Sequence, residues 1–391
     1  MIYLQAHYYS LNKILLLAVG LWPYQQSKVT QFQCIFIFST LSACIAFQLT
    51  PLISSKFTSD LFAKVLSSVS FFTIFMIKYI AFHLNINTDS LKHLQHIHNE
   101  IKDENEIAIV TKYKCIANRY TVLLTVVAIC GTIIIIIIQL LSIMINVDIS
   151  TNVSVSPRLL IMTEYFIDQE KYLYLILLHV YMTLCIGEIV MLAIGSLFIT
   201  YLQHTCGMFR IASYRIKQAI KIDILQNVNQ KSKILITRGI ICAINIHRQA
   251  IKLSKHLLSI FEIMFFCLIV VGVTCLSLNL FQLFQITSSV NNIGELFPPL
   301  LYSSISILYM FLANYMGQDI INHNDNVYVT AYNAQWYKAP LNIQKMILFL
   351  LQRRAKEHTL DVGGLFHASI ECFATLVKTS VSYFTVMYST R

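Results

Sequence analysis

Five residues near the end of the chain, Ser382, Thr385, Val386, Ser389 and Thr390, fall at i, i+3, i+4, i+7 and i+8, one stripe of an α-helix. Small hydroxyls with a single branched apolar residue suit a narrow water path that closes by an apolar constriction. They suit equally the close approach of two helices in lipid. Ionisable groups inside apolar runs are costly and call for partners. Glu371 and Lys378 share a helix face two turns apart, whereas Lys78, Glu188 and Glu262 have no partner visible in the sequence. For Lys78 and Glu262, snorkelling toward an interface is the plainer reading. His93, His96 and His98 cluster, but i, i+3, i+5 spacing does not converge on one helix face, so a solvated surface and no metal site are expected. The ten cysteines contain no CxxC pair. No nucleophile elbow, P-loop, HExxH or intramembrane carboxylate pair is present, so neither an enzyme nor a cofactor is expected.

The elements that position these groups follow from composition. Of 391 residues, 56% are apolar and 12% charged, about half the charged share of a soluble domain. The reading is an all-α polytopic membrane protein with seven spans, at 33–53, 62–84, 121–145, 173–202, 257–286, 296–316 and 365–387, each long enough to cross about 30 Å of hydrocarbon. The fourth is longer than a crossing needs and is expected to project into water. Two apolar stretches are too short: 14–22 reads as an interfacial or re-entrant helix within segment 1–32, and 343–351 as a helix packed on protein. The resulting organisation is a cytoplasmic segment 1–32, a bundle of six spans over 33–316, anchor helices over 317–364 and a last span within 365–391. Of the 29 Lys and Arg, 22 lie in loops on one side and four on the other, which places the N-terminus in the cytoplasm and the C-terminus outside. The sequon at Asn152 falls in a loop on the outside, marking a candidate glycosylation site. The net charge of +10 is this cytoplasmic surplus and needs no nucleic acid.

An inside N-terminus argues against a G-protein-coupled receptor, as does the place of Asn118-Arg119-Tyr120, which opens span three instead of closing it. No internal repeat or pair of broken spans points to a transporter. Several short motifs carry a more specific signal: Leu21-Trp22-Pro23, then 164–172 with Asp168, Glu170, Lys171 and Tyr172, then 204–209 with Gly207. After span six come 314–318, then 332–337 with Asn333, Trp336 and Tyr337, and the ending 378–389 with Lys378 and Tyr383. In this order and spacing they resemble an insect odorant receptor, most like the expanded hymenopteran type. Ser382-Tyr383 is followed by Ser389-Thr390, which breaks the span-seven ending of the sister gustatory receptors. A loop of about 55 residues between spans four and five is too short for the odorant co-receptor, so the chain looks like a ligand-tuned subunit.

The resemblance implies an odorant-gated, poorly selective cation channel of four subunits, formed with the co-receptor in the plasma membrane of olfactory sensory neuron dendrites and needing no G protein. It implies subunits joined through cytoplasmic helices, for which Ile234, Ile241, Ile244 and Ile251 give an apolar stripe. It maps the pore gate to Val386 and the ring outside it to Ser389 and Thr390. Further, it implies a small aromatic cavity for a volatile odorant among spans two, three, four and six. Candidates by depth are Phe72, Phe75, Met76 and Tyr79; Ile137; Tyr174, Leu178 and Met182; and Tyr302, Ser306 and Tyr309. A metabotropic seven-helix receptor, or a gustatory-type receptor for a tastant or cuticular hydrocarbon, is the alternative.

Overall fold

A computed structural model describes residues 10–24, 27–54, 56, 58–85, 101–149, 161, 163–167, 171–225, 230–289, 296–353, 361–362 and 366–389. Asn152, Asp168, Glu170, Thr390 and the three clustered histidines lie outside the described residues. Helices α1 (Ser10–Ala18), α2 (Lys28–Leu49), α3 (Pro51–Ser54), α4 (Ser59–Asn85), α5 (Glu104–Ile149), α6 (Leu173–Leu225), α7 (Gln230–Ser289) and α8 (Phe297–Asn333) are followed by a 3-10 turn, Trp336–Lys338, and by α9 (Leu341–Gln352). A two-residue antiparallel pair, β1 (Asp361–Val362) with β2 (Phe366–His367), precedes α10 (Ile370–Ser389). Among the described residues, six helices are long and apolar enough to cross a membrane, those built on α2, α4, α5, α6, α7 and α8. The less apolar α10 has 20 residues, the length of a crossing.

Local chemistry explains several boundaries. The Ser27 hydroxyl accepts from the Thr30 amide and starts α2. Pro51 stops it, since proline has no donor for the ladder. Gly20, with φ of +67°, turns the chain after α1, a conformation that favours glycine. The short early helix is no crossing: Leu16, Val19 and Leu21 are buried, and Asn12 Nδ2 donates to the Thr200 hydroxyl on α6 at 2.7 Å. Trp22 lies under the Lys13 ammonium. At the far end, α10 begins at Ile370 and not at Leu365, because Phe366 and His367 are held in the β-pair.

Helix α7 is the hub, packing against α4, α6, α8 and α10. Helix α4 is mostly buried, whereas α5 turns most of its apolar run outward, as a lipid-facing helix does. Inside the bundle the helices are tied by polar pairs. Ser67 donates to Asn279 at 2.8 Å, Gln282 to the Ala63 carbonyl at 2.9 Å, and Ser68 to Gln48 at 3.1 Å.

Helices α6 and α7, with 53 and 60 residues, would each measure about 80–90 Å at helical rise, far more than a bilayer. Their excess, with the second half of α8 and with α9, forms a projection at the basic end of the molecule. This projection has a well-buried core of its own, including Met208, Phe209, Ile211, Ile236, Ile320, Ile343 and Ile347. The apolar stripe expected there divides: Ile251 is buried and Ile244 packs on the core, but Ile234 and Ile241 are exposed. Glu106 and Arg215 brace the projection through a two-pronged pair at 2.6 and 2.8 Å, and Arg215 also donates to the Cys242 carbonyl. The hydrogen bond to Glu106 holds the guanidinium above its ordinary range.

Candidate functional site: a cleft in the bundle and the exposed stripe of the last helix

Helix α8 opens Phe297-Pro298-Pro299, prolines standing where a first turn needs no amide donors. Its first turns face α4, α5 and α6, and between these four helices lies a small, partly open cleft. The walls are Phe71 from α4, Ile135 from α5, Leu184 from α6, Leu301, Tyr302 and Ile305 from α8, and Ile161. One ionisable group interrupts this apolar lining, Glu188, which meets the Thr132 hydroxyl of α5. Such a space favours a small apolar molecule with at most one or two polar groups.

Of the eleven candidates chosen by depth, Tyr302 lines this cleft. Its ring lies 4.7 Å from Phe71, and Phe72 and Phe75 form the layer behind at 5.9 and 5.1 Å from Phe71. Gly187 makes this packing possible, since a Cβ there would overlap the Phe75 ring. Met76 packs on the core, and Tyr79 donates to the Val19 carbonyl at the turn after α1. The Ser306 hydroxyl faces Cys275 on α7. Tyr309 lies beneath the Lys78 ammonium at 4.4 Å, the partner that the sequence did not reveal. Four candidates face out of the bundle: Ile137 is 49% exposed, Tyr174 77%, Leu178 57% and Met182 42%. None of these four lines the cleft, and the inward faces of α5 and α6 carry Ile135, Leu184 and Glu188 in their place.

Helix α10 is two-faced. Leu376, Ser380 and Phe384 are buried, the last against Phe281 and Phe284 of α7. Ser382, Thr385, Val386 and Ser389 are all exposed on the opposite face, Val386 at 58%, and Lys378 and Glu371 extend the stripe toward the helix start. Tyr383 is exposed beside it. The three hydroxyls donate back to their own helix, to the carbonyls of Lys378, Ser382 and Val386. Their oxygen lone pairs are left for whatever lies opposite.

The start of α10 is clamped by α8. Asn314 Oδ1 accepts from the Ser369 amide at 3.3 Å and Gln318 Oε1 from the Ile370 amide at 3.4 Å. Between them Gly317 lies against Ala368, where a Cβ would come 2.4 Å from the carbonyl oxygen. These three residues, at i, i+3 and i+4, give motif 314–318 a physical meaning: two side-chain caps and a space for the backbone.

The other motif residues serve packing. Gly207 is buried against the Tyr113 ring. Asn333 ends α8, Trp336 packs on the core and Tyr337 is exposed, its carbonyl accepting from Gln344 at 2.9 Å. Lys171 lies over the Tyr172 ring. Before them, Tyr165 stacks on Phe47 at 4.2 Å and bonds His179 at 2.6 Å, while the Glu164 amide donates to the Phe47 carbonyl. Sequence reasoning missed one grouping: Cys206 of α6 meets Asp319 and His323 of α8. Its only trace in sequence is the i, i+4 spacing of the latter two.

Fold and cleft together define an all-α polytopic membrane protein with a small apolar cleft between its helices. A family profile described as 7tm Odorant receptor matches residues 58–381. Curated relatives include Odorant receptor 10 of Aedes albopictus, 26% identical over 86 residues, and Putative odorant receptor 92a of Drosophila melanogaster, 23% identical over 145 residues. These stretches cover 22% and 37% of this chain, and the chain spans only 23% and 34% of those relatives' lengths. Among solved structures, the insect olfactory receptor OR5 from Machilis hrabei, in complex with eugenol, has the same fold. The TM-score is 0.73 at 14% identity, covering 100% of this chain and 99% of that one, and a second OR5 structure gives 0.70. The chain belongs to the insect odorant receptor family, whose members are membrane receptors and not enzymes.

Proposed function

We propose that this chain is the ligand-tuned subunit of an odorant-gated, non-selective cation channel, assembled with the odorant co-receptor as a hetero-oligomer of four. Its place is the plasma membrane of olfactory sensory neuron dendrites, with the basic projection in the cytoplasm and the end of α10 outside. The ligand is a small volatile organic molecule held in the cleft between α4, α5, α6 and α8. The observation that carries this reading is the two-faced α10: a helix of crossing length that leaves Ser382, Thr385, Val386 and Ser389 exposed. A polar stripe at membrane depth belongs against water or protein and not against lipid. Four such stripes around an axis make a water path with oxygen acceptors toward the ions and Val386 as the apolar constriction. Odorant opens it by binding better when the path is dilated than when it is closed.

The stretch of about 55 residues between spans four and five, short against the enlarged loop of the co-receptor, supports the ligand-tuned subunit. The test is whole-cell current from cells expressing the chain with and without co-receptor, under an odorant panel and with G-protein signalling blocked. Rapid cation current that requires the co-receptor and survives the block supports the reading. Current lost under the block makes the receptor metabotropic.

A further inference from the structure

At the basic projection, outside both the cleft and α10, three metal-ligating side chains from two helices meet: Cys206 of α6 with Asp319 and His323 of α8. The donor atoms lie within 4.8 Å of one another. His323 Nδ1 is 3.1 Å from Asp319 Oδ1, and Cys206 Sγ is 3.8 Å from Asp319 Oδ2. In tetrahedral zinc coordination, with bonds of about 2.0–2.3 Å, neighbouring ligand atoms stand roughly 3.3–3.7 Å apart. These two edges run to different oxygens of the Asp319 carboxylate, so a shared ion requires the carboxylate to turn one oxygen toward both partners and His323 Nδ1 to leave the Asp319 backbone carbonyl, which it meets at 2.7 Å.

The surroundings match as well. The far ring nitrogen of His323, Nε2, is 2.8 Å from the Tyr113 hydroxyl on α5, the outer partner that fixes a ligating imidazole. Gln203 Nε2 donates to Asp319 Oδ2 at 3.0 Å and orients the carboxylate. Asp319 and His323 are partly exposed, leaving a path for an ion.

We propose that Cys206, Asp319 and His323 form a binding site for a divalent transition metal of zinc type, with water in the fourth position. The set of one sulfur, one nitrogen and one oxygen selects a borderline cation over calcium or magnesium, which take oxygen alone. On binding, the Cys206 thiol gives its proton to solvent, His323 gives up its Nδ1 proton and keeps Nε2–H toward Tyr113, and the ion replaces the Asp319–His323 and Cys206–Asp319 hydrogen bonds. The ion joins α6 to α8, the helix that carries the clamp on α10.

The test uses the full chain purified in detergent and titrated with Co(II), a spectroscopic stand-in for zinc. The site predicts tetrahedral cobalt bands with a sulfur-to-metal charge-transfer band, all displaced by Zn(II). Cys206→Ser removes the sulfur from α6 and His323→Asn the nitrogen from α8, so loss of the difference spectrum in both variants, each eluting like wild type, supports the site. Cobalt on exposed thiols such as Cys115 and Cys242 is common to all samples and cancels. A wild-type sample without tetrahedral cobalt bands, or an unchanged spectrum in either folded variant, overturns the proposal.

Discussion

Adding one methyl group at Gly317 tests whether the clamp between α8 and α10 matters. In Gly317→Ala the new Cβ would stand 2.4 Å from the Ala368 carbonyl oxygen, 2.5 Å from its Cβ and 2.9 Å from its carbonyl carbon. Carbon contacts are comfortable at about 3.5–4.0 Å, so the chain entering α10 must retreat by about 1 Å. Two of the obstructing atoms are backbone, and no side-chain rotation relieves them. Overpacking of this kind costs about 1–3 kcal/mol. A retreat of that size also breaks the caps from Asn314 and Gln318, already 3.3 and 3.4 Å long, for about 0.5–1.5 kcal/mol each. For a chain of this length the expected fall in apparent Tm is roughly 2–7 °C, read by size-exclusion recovery after heating. The control is Gly195→Ala on α6, where nothing beyond the helix's own backbone lies within 4 Å of the added Cβ. Alanine there is neutral or slightly stabilising, as glycine costs about 0.5–1 kcal/mol inside a helix. Equal Tm for the two variants would refute the clamp.

Glu106→Gln leaves the Arg215 guanidinium without its counter-charge; with Arg215 partly exposed, the expected cost is about 2–3 kcal/mol, seen as loss of folded protein on the same heating assay. His247, buried between the Phe209 and Tyr328 rings, has its pKa lowered chiefly by burial, with the Arg353 charge adding and the Asn324 hydrogen bond opposing. The unfolded chain therefore takes up this proton first, so stability holds above pH 6.5 and declines as pH falls below it toward the lower folded value. His247→Gln should remove that part of the pH dependence of Tm. With Val386 as the proposed gate, Val386→Ala removes apolar contact of about 1.5 kcal/mol per subunit; current without odorant should rise about tenfold, and an unchanged basal current would take Val386 out of the gate. Glu188→Leu should weaken responses to odorants bearing a hydroxyl or amine while sparing hydrocarbons of the same shape; uniform loss across both classes would argue against a polar anchor in the cleft.

The helical class was legible from the length of the apolar runs, and the shared face of Ser382, Thr385, Val386 and Ser389 from helical period. The inward faces of α5 and α6 were not. In water, a helix betrays its core side by the polar residues opposite; in lipid both sides are apolar, so Ile137 and Ile135 look alike in sequence though only Ile135 lines the cleft. Lys78 and Glu188 met their partners, Tyr309 and Thr132, across more than 50 residues of chain, beyond the reach of helix spacing. The β-pair that delays α10 to Ile370 joins two dipeptides too short to show a strand period. Meanwhile motif 314–318 stood out as a pattern, but only the position of Ala368 explains why its glycine must be bare.

Beyond the lengths needed to cross a bilayer, Met208, Phe209, Ile236 and Ile343 close a buried core around the ends of α6, α7, α8 and α9. Water drives that assembly, since only there does burying apolar surface lower the free energy by the hydrophobic effect. The lipid-facing half, with α2 and α5 turned mostly outward, has no such force and relies on the bilayer and a few polar ties. Solubilisation therefore acts unevenly: micelles loosen the rim of the membrane half first, while the basic stalk keeps its shape. Extraction would then leave the stalk folded after the cleft between α4, α5, α6 and α8 has loosened.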